Sequence, residues 1–318
     1  MMVNYEAILR RFLANRGDSS LPIESMNGSS DNKIFRVGGY VYRLGRVADI
    51  QADVMIYRRF SKCGCVFPRL ELMESGKHTG VAIVKMLYLG QSFETLLLSV
   101  SDNSVVGNLV KVNRVVLRAL RSVHNKTTNS NTNVVIHDNQ LFFQELITAL
   151  MINLGKAGLT EEGFNFLRKT EKSLAHLIGR TMPSRAHRDL SVGNIIVSQN
   201  IEEVHFIDPR AAVPYAETSE AIGNVVIDIS GYLVSVQRKD MEIQRSSQSI
   251  SLQNMIDDVT SEIKEYQRQE IFCTELLHIC TVLWYSVYAA CKCPYCTAPE
   301  RRWLYDIMVE RLRLFLQT

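Results

Sequence analysis

Apolar residues recur at helical spacing at the start of the chain, where Tyr5, Ile8, Leu9, Phe12 and Leu13 share one face of a predicted helix. The period then shortens to that of strands. Leu21 to Met26 predicts a first strand, and the small polar run Asn27-Gly28-Ser29-Ser30-Asp31-Asn32 predicts a turn. Lys33 to Val37 and Tyr40 to Leu44, rich in β-branched and aromatic residues, flank Gly38-Gly39 in the manner of a tight hairpin. A second helix is predicted over Val47 to Cys63, with Ile50, Val54, Tyr57 and Phe60 at helical intervals and Cys63-Gly64-Cys65 as its stop. Leu70 to Met73 and Val81 to Leu89 add two more strands, and Gly90 closes the segment.

From Ser92 onward the spacing becomes helical. Val105 to His124, Leu141 to Leu154 and Thr160 to Ile178 predict long helices, with an Asn/Thr-rich polar loop from His124 to Asn139. One β-like interruption follows. Within His187 to Arg210, Asn194 to Val197 and Val204 to Ile207 predict paired strands joined by a turn at Gln199-Asn200. Asn224 to Val236 is again helical, Gln237 to Ser251 is a polar stretch expected to be a mobile excursion, and Leu252 to Thr318 accommodates at least three further helices. A chain of 318 residues is long for one hydrophobic core. The expected class is therefore α+β, with a small antiparallel β-rich lobe over residues 1–90 and a larger, mainly helical lobe over 91–318. Neither an internal repeat nor a low-complexity linker is visible.

Composition narrows the setting. Hydrophobic residues at 46% and charged residues at 22% are those of an ordinary globular chain. Thirty-six basic against 33 acidic residues give a formal charge of +3, which calls for no nucleic-acid partner. The longest apolar stretch, Leu276 to Cys291, is interrupted by His278, Thr281 and Ser286 and falls short of the roughly 20 residues of a membrane span, so a buried helix is expected. The N-terminus lacks the apolar core of a signal peptide, and seven cysteines, an odd number, fit reduced thiols and a cytoplasmic setting. Cys291, Cys293 and Cys296, with His278 and Cys280 upstream, read as a reduced helix-to-helix turn ahead of a structural zinc site.

The chemistry concentrates in HRDLSVGNIIVSQNIEEVHFIDPR. Asp189, Asn194 and Asp208 bring two carboxylates and a carboxamide to a short hairpin, a hard-oxygen set of the kind that Mg²⁺ shares with phosphate oxygens. Any one of them alone would be an ordinary cap or turn residue. Together, His187-Arg188-Asp189-Leu190 and Asn194 satisfy the kinase catalytic-loop pattern H-R-D-L-x-x-x-N, which makes Asp189 the group that orients the attacking hydroxyl and Asn194 and Asp208 the metal ligands. No P-loop or dinucleotide-binding glycine pattern occurs elsewhere.

On these residues the sequence resembles the superfamily of aminoglycoside phosphotransferases and choline kinase-like small-molecule kinases. The resemblance extends over most of the chain and implies a two-lobed, protein-kinase-like fold. It implies that Gly28, Ser29, Ser30 and Asn32 belong to the loop covering the nucleotide, followed by a strand at Phe35-Arg36-Val37. Arg43, in Tyr40-Val41-Tyr42-Arg43-Leu44, stands at the third-strand cation, and Asp53 at its helical carboxylate partner. The backbone around Lys85 to Gly90, including Met86 and Tyr88, would cross between lobes and meet adenine. Leu120 to His124 is similar to the family's leucine-histidine helix end, and Asp228 to the acid that braces the catalytic loop. Several positions depart from the family pattern. Arg43 replaces the usual lysine with a planar fork, Asp53 a glutamate, Gly28 stands alone where several glycines are usual, and Pro209-Arg210 follows the metal acid, which argues against regulation by flipping of that loop.

The function so implied is transfer of the γ-phosphoryl group of ATP, or GTP, with Mg²⁺, to a hydroxyl of an aminoglycoside-, sugar- or choline-like acceptor. The protein would be monomeric or homodimeric, without a membrane partner. The alternative is a catalytically weak pseudokinase serving as a nucleotide-binding interaction module. A protein kinase is disfavoured because Arg210 to Asn224 contains no A-P-E sequence. The acceptor stays open. Asp257, Asp258, Glu262 and Glu265 would suit an amine and Arg301, Arg302, Arg311 and Arg313 an anion, while solvated helix faces would account for both sets.

Overall fold

Gly38 turns the chain at φ 57°, a conformation open to glycine and costly to most other residues, and Val37 pairs with Tyr40 directly across it. The hairpin belongs to a computed structural model that describes residues 3–18, 20–26, 33–60, 66–74, 80–99, 103–124, 184–209, 222–246 and 250–271. Isolated helical positions at 148, 165, 177, 274, 276, 277, 279–281 and 284 complete the description. The chain divides into two compact units, Met1–Gly90 and Gln91–Thr318.

The first unit is built on a five-stranded antiparallel sheet in the order β1-β2-β3-β5-β4. Its strands are β1 (Ile23–Met26), β2 (Lys33–Val37), β3 (Tyr40–Arg46), β4 (Glu71–Glu74) and β5 (Val81–Leu87). Helix α1 (Tyr5–Ala14) starts where the Asn4 side chain accepts from the Ala7 N–H at 3.0 Å. It packs Leu9, Phe12 and Leu13 against Phe35, Val37, Tyr42, Leu44, Val81 and Ile83. Helix α2 (Val47–Phe60) sets Ile50 and Val54 against Ala82 and Val84. Alternate residues of β5 thus serve different helices, which is why Val81 to Val84 is continuously apolar in sequence.

The second unit holds β6 (Gln91–Ser92), α3 (Phe93–Leu98), α4 (Asn103–His124), β7 (Ser184–Arg185), β8 (Ile195–Val197), β9 (Val204–Phe206), β10 (Ile222–Gly223), α5 (Val225–Ser246) and α6 (Gln253–Arg268). Strands β6, β8 and β9 form one small sheet, and β7 and β10 another. A buried polar chain joins the three long helices: the Tyr232 hydroxyl donates to Asn113 Oδ1 at 2.6 Å, and Asn113 Nδ2 donates to the Met255 carbonyl at 3.3 Å. Burial pushes the Tyr232 phenol well above its ordinary range, so it keeps the proton that this bond requires.

One sequence expectation is corrected. The stretch from Gln237 is not an excursion but the continuation of α5 to Ser246. Its polar residues are paired along the helix, Arg238 with Glu242 at 2.8 Å and Gln244 with Asp240 at 2.8 Å, while Ile243 is buried. The expected turn at Gln199-Asn200 is present, the Ile201 N–H donating to the Ser198 carbonyl across it at 3.0 Å. Ser198 N–H donates to the Glu203 carbonyl at 3.0 Å, leaving a loop of residues 199–202 in which Ile201 takes φ 63°. The helices expected over 141–154 and 160–178 and the Cys291–Cys296 cluster lie outside the described residues. No described helix is long and apolar enough to cross a membrane.

Leu9 is fully buried between α1 and the sheet. Leu9→Ala should lower the unfolding free energy by roughly 2–5 kcal/mol, read from urea denaturation. A loss below about 0.5 kcal/mol, typical of surface positions, would mean that α1 does not complete this core.

Candidate active site

Helix α5 carries Asp228, Gly231 and Ser235 at i, i+3 and i+7, hence on one face, and all three meet the loop from His187 to Val192. The fully buried Asp228 accepts from the His187 N–H through Oδ2 and the Arg188 N–H through Oδ1, each at 2.7 Å. Those two bonds hold Arg188 at φ 67°, a left-handed conformation that an L-residue adopts at a cost of about 1–2 kcal/mol. At Gly231 the helix approaches so closely that a Cβ would lie 3.0 Å from the Leu190 carbonyl oxygen and from the Trp284 ring. Ser235 Oγ accepts from the Val192 N–H at 3.2 Å. Trp284 is anchored in turn, its Nε1–H donating to the Ile227 carbonyl at 2.9 Å.

The loop so held presents the predicted residues together. Asn194 ends a short 3-10 turn, Val192–Asn194, and its Nδ2 donates to the Asp189 carbonyl at 2.8 Å, leaving Oδ1 as the acceptor end of the amide. Ile195 pairs with Phe206, and the Ile207 N–H donates to the Asn194 carbonyl at 2.9 Å. Asn194 and Asp208 therefore stand at one end of the β8–β9 hairpin. Asp208 is half-buried at φ 54° and precedes the buried Pro209. His187 spans the two loops: its Nε2 donates to the Ile207 carbonyl at 2.7 Å and its Nδ1 accepts from the Asp189 N–H at 3.3 Å. A carbonyl can only accept and an amide N–H only donate, so these partners fix the tautomer.

Among the described residues no three His, Cys, Asp or Glu side chains form a cluster that could hold a metal ion. Asn194 and Asp208 make instead a partial set of hard oxygens, which fits a Mg²⁺ ion completed by phosphate oxygens and water.

In the first unit, Arg43 and Asp53 are brought together, Nη2 to Oδ2 at 3.3 Å, with both side chains about one-fifth exposed. Asp49, the other acid of α2, pairs with Arg46 at 2.9 Å. Met86 faces Val41 across the sheet, and the Tyr88 N–H donates to the Gly39 carbonyl at 2.9 Å, so a base reading the Tyr88 backbone would use its carbonyl. Gly28, Ser29, Ser30, Asn32 and Arg210 lie outside the described residues. The segment 27–32 joins the antiparallel strands β1 and β2.

Helices α4 and α6 form an open groove of about 890 Å³ that reaches Ile201 and Glu202, the hairpin end remote from Asn194 and Asp208. Asp258 pairs there with Arg114 at 3.0 Å, and Glu262 takes both nitrogens of the Arg121 fork. Glu265 pairs with Arg268, and Asp257 accepts from Gln253 at 2.8 Å. Asp258 and Glu262 thus tie α6 to α4, and Asp257 and Glu265 are bonded within α6. The sequence had pointed to Asp228. Gly231 and Ser235 went unread, although their spacing from it places them on the same helix face.

The two units, one with a β-sheet and helices and one mainly helical and carrying this loop, have the protein-kinase-like fold of small-molecule kinases. An aminoglycoside phosphotransferase, APH(3'')-Id from Streptomyces rimosus, solved with ADP and streptomycin, is 15% identical and superposes with a TM-score of 0.52 over 88% of this chain and 99% of its own. A choline/ethanolamine kinase family protein from Mesorhizobium loti is also 15% identical, with a TM-score of 0.51 over 98% of this chain and 95% of its own. The aminoglycoside phosphotransferase APH(4)-Ia, at 11% identity, reaches 0.58 over 97% and 98%. No family model matches the sequence, and no curated protein matches it.

Alanine normally favours a helix interior over glycine by about 1 kcal/mol. At position 231 the Leu190 carbonyl and the Trp284 ring reverse the sign. Gly231→Ala should be destabilising by roughly 1–3 kcal/mol, seen as a lower thermal midpoint. A variant as stable as the parent would refute the close approach.

Proposed function

We propose that the chain is a phosphotransferase that uses Mg-ATP, or Mg-GTP, to phosphorylate a hydroxyl of a small molecule. The observation that carries this reading is the assembly of Asp189, Asn194 and Asp208 on one braced loop and hairpin, with Asn194 Nδ2 donating to the Asp189 carbonyl so that Oδ1 is the end of the amide left to accept. Solved neighbours of the same fold bind ADP with an aminoglycoside or are named for choline and ethanolamine, which supports nucleotide use and a small acceptor.

The residues have separate tasks. The Asp189 carboxylate accepts the proton of the attacking hydroxyl and aims its oxygen at the γ-phosphorus. Asn194 Oδ1 and the Asp208 carboxylate would hold Mg²⁺, which when bound neutralises charge on the transferring phosphoryl group. Arg43, oriented by Asp53, contributes a fixed positive fork to the nucleotide phosphates. The backbone near Met86 and Tyr88 receives the base, and Gly28, Ser29, Ser30 and Asn32 cover the phosphates. Chemistry of this kind is mostly positioning and electrostatics, so a loop held without slack is what it demands.

The test is nucleotide consumption by the purified chain with Mg²⁺ and a panel of aminoglycosides, amino sugars and choline. Asp189→Ala should lower turnover by roughly 10²–10⁴-fold. Asp208→Ala should remove the Mg²⁺-dependent part of thermal stabilisation by ATP. Turnover near that of the parent in either variant would overturn the assignment, and nucleotide binding without turnover of any acceptor would favour an interaction module.

A further inference from the structure

Asp228 receives a third contact besides the two loop amides. His124, at the end of α4, places Nε2 3.1 Å from Asp228 Oδ2, and its Nδ1 lies 3.1 Å from the Tyr266 hydroxyl of α6. All three side chains are buried, with His124 3% and Tyr266 2% exposed. The line from Tyr266 to His124 to Asp228 to the amides of His187 and Arg188 therefore runs without solvent from α6 to the catalytic loop.

The proton positions along this line are constrained. Both oxygens of Asp228 accept from backbone N–H groups, so the acid acts here as an acceptor, and His124 must carry a proton on Nε2 to bond it. An imidazole has two tautomers, and the group facing its other nitrogen decides between them. The Tyr266 hydroxyl is that group. Burial raises the phenol above its ordinary range, with the Glu262 carboxylate adding to the effect, so the hydroxyl keeps a proton to give. The Arg121 guanidinium, paired with Glu262, favours the phenolate, but less than burial and Glu262 favour the neutral form.

We propose that Tyr266 is a positioning residue for phosphoryl transfer: its hydroxyl donates to His124 Nδ1, which holds the Nε2–H tautomer that bonds Asp228 and so fixes the backbone of His187 and Arg188. This rests on the phosphotransferase reading above for its catalytic consequence, though not for the tautomer itself. Tyr266 touches neither nucleotide nor acceptor. Its effect passes through three hydrogen bonds to a loop whose geometry is held against the left-handed φ of Arg188.

The experiment combines Mg-ATP turnover with nitrogen NMR of the His124 ring in the full chain. Tyr266→Phe keeps the ring that packs on His124, 5.9 Å between centroids, and deletes only the hydroxyl. It should lower kcat about tenfold, the effect of one buried hydrogen bond, with KM for ATP within about twofold. The His124 nitrogens should shift from a single Nε2–H form to a mixture. In a His124→Gln background the amide can donate to Asp228 without any tautomer to select. Adding Tyr266→Phe there should cost less than about twofold, a departure from additivity that a purely structural tyrosine would not give. Unchanged ring nitrogens in Tyr266→Phe, or equal losses in both backgrounds, would overturn the proposal. If the parent chain turns over no ATP, the phosphotransferase reading fails, and the ring nitrogens alone then decide whether Tyr266 sets the tautomer.

Discussion

The second unit depends on one carboxylate. Asp228 has no contact with solvent, and its two oxygens take the amides of His187 and Arg188 at the point where the backbone turns left-handed. The turn costs about 1–2 kcal/mol, and a hydrogen bond to a charged group returns roughly 1.5–3 kcal/mol. Two such bonds outweigh the strain. They also fix the loop, because a backbone held away from its relaxed shape by surrounding bonds keeps one arrangement for the groups it carries.

That arrangement requires α5 to be as immobile as the loop. Tyr232 is bonded through Asn113 to the carbonyl of Met255, so α4, α5 and α6 share one internal polar chain. Trp284 bonds the Ile227 carbonyl and fills the space that a side chain at position 231 would need. Lys239, further along α5 and almost fully buried, reaches Glu94 of α3 at 2.7 Å and Glu242 at 2.5 Å. A buried ammonium between two carboxylates stabilises little by itself, since desolvation offsets the attraction. Its consequence is registry: it sets where the polar half of α5 lies.

Much of this was legible in sequence and some was not, for identifiable reasons. The hairpin about Gly38-Gly39, the ends of β2 and the face of α1 follow from local period and turn chemistry, which need only neighbours in the chain. The pairing of Arg43 with Asp53 came from the resemblance to small-molecule kinases and not from local period, and the 3.3 Å contact is present. The polar half of α5 misled because its charges looked solvent-facing, whereas they satisfy one another at helical spacing and meet Glu94, a residue more than a hundred positions earlier. Tyr266 carried no signal at all. Its partner His124 lies far away in sequence, and neither period nor motif joins them.

The segment that follows β9 shows how local and distant constraints converge. Ile207 gives its N–H to the Asn194 carbonyl and its carbonyl accepts from the His187 ring, so both of its backbone groups are engaged with the 187–194 loop. The next residue, Asp208, sits at φ 54°, and Pro209 after it is buried with its own φ set by the ring. Swinging Asp208 out of place would break both bonds of Ile207 and move a packed proline. The positions of Asn194 and Asp208 are therefore set by the hairpin register and by the bonds of Ile207.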